Sequence, residues 1–361
     1  MLLHEDKDSF EYLLTSVSIR SGIDSTILEK DYYVTVFLGQ LAEKQAAGCK
    51  AFFKGGTALY KFLRRVGRFS EDIDITVDTS GLNRTQNDKQ LALVTKKYVG
   101  FERLVDEGVT NKQNVLSVYA YDSLNERFSK DTLDRFGKVK VEATSFTISE
   151  PVEDLEVSSL LYDFATDAEK KIMKKNFNIH PFCVKSITLE RMFIDKLFAA
   201  EAYVCRLDHE DKGLEASKHL YDLSVMSRLP RIQSFLSDEI ALENMIKIQM
   251  REEKNRLGGV PDLLPKDFSV FGKIVGNEKL YGAFLRMEDI YVLYEKDRFS
   301  VNVMLDSMNR LYDKLCSNRS WCKDYIDDIA GHSNVDHSDV AKKLEQGHDN
   351  NSNGGVGGGR S

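Results

Sequence analysis

The sequence predicts an α/β (α+β) chain in which N-terminal helices lead into a sheet-bearing core and a helical region follows. Three observations predict it. Residues 52–77, FFKGGTALYKFLRRVGRFSEDIDITV, read as strand, glycine turn, helix, loop and strand. Residues 137–146, GKVKVEATSF, alternate apolar with polar, and from Leu189 onward the apolar residues recur at helical spacing. With 361 residues, 42% of them hydrophobic and 30% charged, the chain can bury a substantial core and suits two domains. The expected division is 1–187 for the N-terminal helices and core and 188–331 for a helical domain. A flexible polar, glycine-rich tail is expected over 332–361.

In chain order, residues 9–18 and 24–43 read as helices, the second with Ile27, Tyr32, Val34, Leu38 and Leu41 as its apolar set. Within it, the charges of Glu29-Lys30-Asp31 suit a solvated, self-paired helix face. Residues 51–54 form a short strand ending in Gly55-Gly56-Thr57, after which Leu59, Phe62, Leu63 and Val66 follow a helical period. The glycines therefore stand at a helix N-terminus, where free N–H groups and the positive end of the helix dipole favour a phosphate. In the next strand Ile73, Ile75 and Val77 alternate with Asp72, Asp74 and Thr76, so both aspartates share one face. Two carboxylates so spaced are a pair of oxygen ligands for Mg²⁺. Taken separately, Gly-Gly also fits a plain turn and Asp-x-Asp a solvated strand edge.

Residues 81–89 are polar and turn-rich and predict a loop; 91–104 predict a helix and 114–121 a strand. In the strand over 137–146, Glu142 lies on the polar face. Residues 151–175 have no clear period but carry Lys170, Lys171, Lys174 and Lys175, either a solvated helix face or a rest for an RNA backbone. Residues 180–187 predict a last strand, and Thr188 caps the helix over 189–204. On that helix Glu190, Arg191, Asp195 and Glu201 form a polar side, while Lys196 falls amid the apolar one. A lysine there must snorkel, pair with a carboxylate or meet a ligand. If it serves only a ligand, Lys196→Met should leave stability equal or slightly higher. Residues 206–215, with His209, read as a charged loop, and 217–229 as a helix on which Asp222 shares a face with Met226 and Leu229. A salt bridge to Lys218 one turn back would account for that aspartate. From 232 to 325 the spacing stays helical, with turns at 258–261 and near Gly276.

Several classes are excluded. A net charge of -7 argues against a protein that coats nucleic acid non-specifically, though a local basic groove remains open. The five cysteines, Cys49, Cys183, Cys205, Cys316 and Cys322, form no CxxC pair, which argues against a disulfide framework and a zinc site. No run has the length of a membrane span, and the first eight residues are too few and too acidic for a signal peptide, so a cytoplasmic protein is expected. Gly55-Gly56 lacks the GxxxxGK[ST] of a P-loop, and no GxGxxG follows a strand. Asp72, Asp74 and Asp78 have the spacing of a calcium loop, but Val77 and Asn83 stand where its glycine and bidentate acid belong.

The conjunction of GGTALYKF with RFSEDIDITV closely resembles the AbiEii/AbiGii nucleotidyltransferase toxins of abortive-infection and toxin–antitoxin systems, within the polymerase-beta-like superfamily. Residues 29–32 are similar to a stretch that precedes the core in that family, and DKLFAA is similar to a segment whose lysine, here Lys196, is taken to contact nucleotide phosphate. Residues 217–229 resemble its R-D-x-Y-D segment, with Lys218 and His219 replacing Arg and Asp and with Asp222 matching the last aspartate. The resemblance implies a nucleotidyltransferase core with a mixed sheet. In it Asp72, Asp74 and Glu142 hold Mg²⁺ (or Mn²⁺), Gly55, Gly56 and Thr57 cradle the phosphates of an NTP, and Lys196 and Asp222 join the catalytic set. It further implies phage defence as the setting, transfer of a nucleotide to an RNA end with tRNA as candidate, and an antitoxin partner. Ser70, two residues before Asp72, would then either simply order the loop or lie near enough to bound phosphate to offer a modification site. Adenylylation of a protein or small molecule, or nucleotide sensing without turnover, are the rival readings.

Overall fold

A computed structural model of the chain describes residues 1–64, 67–111, 113–124, 135–147, 149–207, 212–254, 259 and 263–316. Val66, His209, the greater part of the 258–261 turn, Cys322, the end of the helical stretch (317–325) and the tail over 332–361 lie outside the described residues.

Two helices open the chain, α1 (Lys7–Ser21) and α2 (Ser25–Ala46). The second begins at Asp24, whose carboxylate accepts from the Thr26 N–H at 2.8 Å, filling one of the orphan donors of a helix start. Then come β1 (Ala51–Lys54), α3 (Gly55–Leu63), β2 (Ile73–Val77), α4 (Arg84–Thr95), β3 (Glu102–Thr110), β4 (Asn114–Ala120) and β5 (Lys138–Thr144). They are followed by β6 (Val152–Val157), α5 (Leu160–Asp163), α6 (Asp167–Phe177) and β7 (Phe182–Ile187). The seven strands form one mixed sheet in the order β3-β4-β5-β2-β1-β7-β6, with β2 parallel to β5, β1 parallel to β7, and the other neighbours antiparallel. Ile73, Ile75, Val77, Val139, Val141 and Ala143 are all buried, and each larger one contributes about 1.5–3 kcal/mol by leaving water.

After the sheet, α7 (Leu189–Val204) and α8 (Lys212–Met226) pack together. α9 (Pro230–Ser237) and α10 (Glu239–Glu253) lean on α7, and α11 (Glu278–Tyr291) and α12 (Val301–Cys316) on α8. This second layer changes the meaning of the polar side of α7. Arg191 and Glu201, on the polar side of the helix, are buried: Arg191 donates to Asp195 and to Gln249 and Glu252 of α10, and Glu201 accepts from the Val270 N–H at 2.8 Å. A polar stripe therefore marks a helix-to-helix contact here.

Three local expectations are corrected. The loop expected over 81–89 is mostly the first turns of α4, because Asn83 accepts from the Gln86 N–H at 3.0 Å while the Gln86 side chain accepts from the Asn83 N–H at 2.9 Å. The helix expected over 91–104 stops at Thr95, and Glu102–Thr110 forms the edge strand β3, whose side chains lie largely in solvent and carry no buried face to read. In the stretch expected to be irregular, Leu155 and Val157 turn inward on β6 and pair with β7. Lys171, Lys174 and Lys175 do lie exposed on α6.

Glu29, Lys30 and Asp31 are all fully or almost fully buried, contrary to a solvated face. Asp31 accepts from Lys61 Nζ at 2.7 Å, from the Leu160 N–H at 2.5 Å and from the Tyr60 hydroxyl, binding α2, α3 and the start of α5. Removing one partner of a buried ion pair strands the other charge. Asp31→Leu is therefore expected to destabilise the fold by about 3–5 kcal/mol in urea unfolding, and an unchanged midpoint would refute the role given to this junction.

Candidate active site

One row of side chains across four strands builds the site. Strand register places Lys54 opposite Asp74, Asp74 opposite Glu142 and Glu142 opposite Leu116, so the row runs from β1 through β2 and β5 to β4. Residues in register on neighbouring strands share a face about 5 Å apart, which sets Asp74 and Glu142 side by side. Asp72 stands two residues earlier on the same face of the chain. All three carboxylates line a single cavity of about 950 Å³, closed on its far side by α7, α8 and Tyr291.

The glycines are required by space as well as by conformation. Gly55 has φ +83°, and a Cβ there would stand 1.9 Å from Asp74 Oδ2; a Cβ on Gly56 would stand 2.6 Å from Ser70 Oγ. They are the first residues of α3, and Lys54 before them supplies no side-chain cap to the first-turn N–H groups. Ser70 lies against this turn and lines the cavity, and Thr57 Oγ1 donates to Ser70 Oγ at 3.2 Å. Thr57 itself is fully buried behind Ser70 and is not part of the cavity wall, so it meets a ligand only through Ser70.

Lys196 reaches the cavity, as does Arg68, and both are held by Asp222. Arg68 donates through Nε to Asp222 Oδ1 at 2.8 Å and through Nη2 to Oδ2 at 2.6 Å, and Lys196 Nζ donates to Oδ2 at 2.6 Å. Burial alone would raise the pKa of Asp222, but the charges and hydrogen bonds of Arg68 and then Lys196 outweigh it and hold the carboxyl at about 2. Two cations thus share one carboxylate close to the glycine turn, with Glu215 and Glu71 also acting on Arg68. Asp222 does not line the cavity and acts only through these two cations. The salt bridge expected between Asp222 and Lys218 does not form: Lys218 pairs with Glu215 at 2.8 Å and lies over the Tyr291 ring. Arg68 carries no signal of its own in the sequence, since its partner is 154 residues away.

The carboxylates are the reverse case. Burial, then the charges of Glu142 and Asp72, push the pKa of Asp74 up to about 7, and burial and then Asp72 push Glu71 upward too. One oxygen of Asp72, Oδ1, is buried with no hydrogen-bond partner among the described residues. Crowded, partly orphaned carboxylate oxygens are a hard-donor set that fits a divalent cation such as Mg²⁺ or Mn²⁺. Among the described residues no group of three or more His, Cys, Asp or Glu forms a ready-made metal cage.

The model of the nucleotidyl transferase AbiEii toxin family, of type IV toxin–antitoxin systems, matches residues 36–296, more than half of the chain. The chain belongs to the AbiEii family. AbiEii proteins are nucleotidyltransferase toxins, and enzymes of this kind use an NTP and a divalent metal. Among solved structures, MenT4, a nucleotidyltransferase toxin from Mycobacterium tuberculosis H37Rv, is 15% identical with a TM-score of 0.49, over 85% of this chain and 90% of that one. JHP933 from Helicobacter pylori is 15% identical with a TM-score of 0.41, over 81% of this chain and 94% of that one. Comparison with curated proteins gives no match. No helix among the described residues of this AbiEii chain is long and apolar enough to cross a membrane.

Two outcomes follow for stability. Between about pH 4 and 7 the folded protein keeps a proton on Asp74 that the unfolded chain has released, so metal-free stability should fall as pH rises through that window and level off above it. Asp74→Asn should flatten the slope, leaving the smaller contribution of Glu71, and make the chelated protein more stable at pH 8, on the order of 1–3 kcal/mol; a lower melting temperature at pH 8 would show the carboxylate to be structural. The ion pair with Asp222 overturns the expectation that Lys196→Met is neutral or stabilising. Asp222 keeps both bonds to Arg68 but loses a charged donor, so a loss of about 1–3 kcal/mol is expected in denaturant titration.

Proposed function

We propose that the protein moves a nucleotide from an NTP to the end of an RNA in a Mg²⁺-dependent reaction, with tRNA as the first acceptor to test and Mn²⁺ as a second metal. The observation that carries this reading is the row from Lys54 through Asp74 to Glu142, flanked at its glycine end by Lys196 and Arg68 and opening into one cavity.

Asp72 and Asp74 would hold the cation, with Glu142 beside them. A divalent cation so held neutralises phosphate charge and lowers the pKa of an acceptor hydroxyl. The first-turn N–H groups at Gly55 and Gly56 receive the outer phosphates at the positive end of α3, with Ser70 alongside. Lys196 and Arg68, fixed in place by Asp222, face the charge that gathers on the leaving group. Asp222 is thus a positioning residue. The acceptor oxygen bonds to the α-phosphorus, the bond from that phosphorus to the oxygen bridging to the β-phosphate breaks, pyrophosphate leaves, and Glu142 lies where the hydroxyl proton is released. The cavity of about 950 Å³ has room for a nucleotide and an acceptor end together. A toxin of this kind requires restraint, and a partner antitoxin supplies it in this reading, with phage defence as the setting. A phosphate on Ser70 would lie against Gly56, where donor phosphate is received, and would repel it.

The test is incubation with each α-labelled NTP, Mg²⁺ or Mn²⁺, and total RNA. Label is expected in RNA, reduced at least about a hundredfold by Asp72→Asn, Asp74→Asn or Lys196→Met and strongly reduced by Ser70→Glu. Label in protein would replace this reading with protein adenylylation, and binding without transfer would leave a nucleotide sensor.

A further inference from the structure

The end of the row opposite the glycines has its own chemistry. Asn114 on β4 is in register with Thr144, and so lies diagonally beside Glu142 on the same face. Its amide nitrogen donates to Glu142 Oε1 at 2.7 Å. A carboxylate only accepts, so the amide orientation is fixed: Nδ2 faces Glu142 and Oδ1 points away from it. That Oδ1 is buried, has no hydrogen-bond partner among the described residues, and belongs to a side chain of the cavity wall. A buried acceptor without a donor is costly, and a ligand that brings a donor relieves the cost.

We propose that Asn114 accepts a hydrogen bond from the 2′-hydroxyl of the acceptor's terminal ribose, so that the site selects an RNA end over a DNA end. The inference rests on the nucleotidyltransferase reading above and specifies its acceptor. In-line displacement puts the attacking oxygen on the side of phosphorus away from the leaving pyrophosphate. The pyrophosphate belongs to the glycine end, with Lys196 and Arg68, so the acceptor hydroxyl belongs at Glu142. When a terminal 3′-hydroxyl sits at Glu142, the nearest donor on the same sugar is the 2′-hydroxyl, and Asn114 already touches Glu142. Phe146, half-buried in the same end of the cavity, offers a ring face for the terminal base. Apart from Glu142 the described lining at this end is uncharged, formed by Asn111, Gln113, Asn114, Thr144, Phe146 and Thr147, as suits a sugar and base better than a triphosphate.

The experiment compares two oligonucleotides of one RNA sequence that differ only at the last sugar, ribose in one and 2′-deoxyribose in the other. With the wild-type protein, kcat/KM for transfer is expected to be about tenfold lower for the deoxy end, the scale of one hydrogen bond. Asn114→Leu frees Glu142 and lowers both rates, so the readout is their ratio, which should fall to about one. Asn114→Ala replaces it if the leucine variant does not fold. Fluorescence anisotropy of the same oligonucleotides with chelated protein gives a readout independent of turnover: the wild type prefers the ribose end and the variant does not. If RNA is labelled but the wild type treats both ends alike, or the preference survives in the variant, the inference is overturned while the transferase reading stands. If label enters protein or no transfer occurs, that reading fails and takes the inference with it.

Discussion

Parallel pairing of β2 with β5 is the constraint on which the site depends. It fixes Asp74 beside Glu142, with Asp72 close by, in a partly buried position where like charges repel. A chain seldom keeps such a grouping for stability, because each carboxylate is poorly hydrated and raises the free energy of its neighbours' ionised forms. The rest of the sheet tolerates it because the opposite set, Ile73, Ile75, Val139, Val141 and Ala143, is buried and ties the strands down. The fold thus supplies a platform that holds the carboxylates together despite their mutual repulsion.

The second organising contact is Asp222 with Arg68 and Lys196. It joins the loop before β2 to two helices of the later layer, so the two cations that line the cavity are placed by residues far apart in the chain. The same contact explains why a lysine and an arginine sit in a poorly solvated wall: each charge is compensated by one carboxylate. The buried α2 junction at Asp31 does similar work on the other side of the sheet, uniting α2, α3 and the start of α5 without touching the cavity.

Much of this was legible because it is periodic. Ala51–Lys54 and Leu189–Val204 have the bounds their apolar spacing indicated, and the Gly55-Gly56 turn with Asp72 and Asp74 lies where strand and helix periods placed it. The helix over 84–95 was displaced because its capping box, Asn83 with Gln86, reads locally as a polar loop. The edge strand Glu102–Thr110 was missed because a strand with little buried face has no alternation to display. Glu29-Lys30-Asp31 misled for one reason: charge pattern does not distinguish water from a buried partner supplied by another element.

By itself the sequence determined the local chemistry: a glycine turn opening a helix, two carboxylates on one strand face, a third on another, and a lysine set among apolar residues. These follow from steric limits and repeat periods that act over a few residues. Only the tertiary structure decided which of them share a wall. It brought Glu142 to Asp74 through strand register, gave Lys196 and Arg68 a common partner in Asp222, withdrew Thr57 behind Ser70, and set Asn114 against Glu142 with one oxygen unpaired among the described residues. Those contacts span from 13 to 154 residues of chain. No local period encodes them, because they are fixed by the packing of the sheet against the helices that follow it.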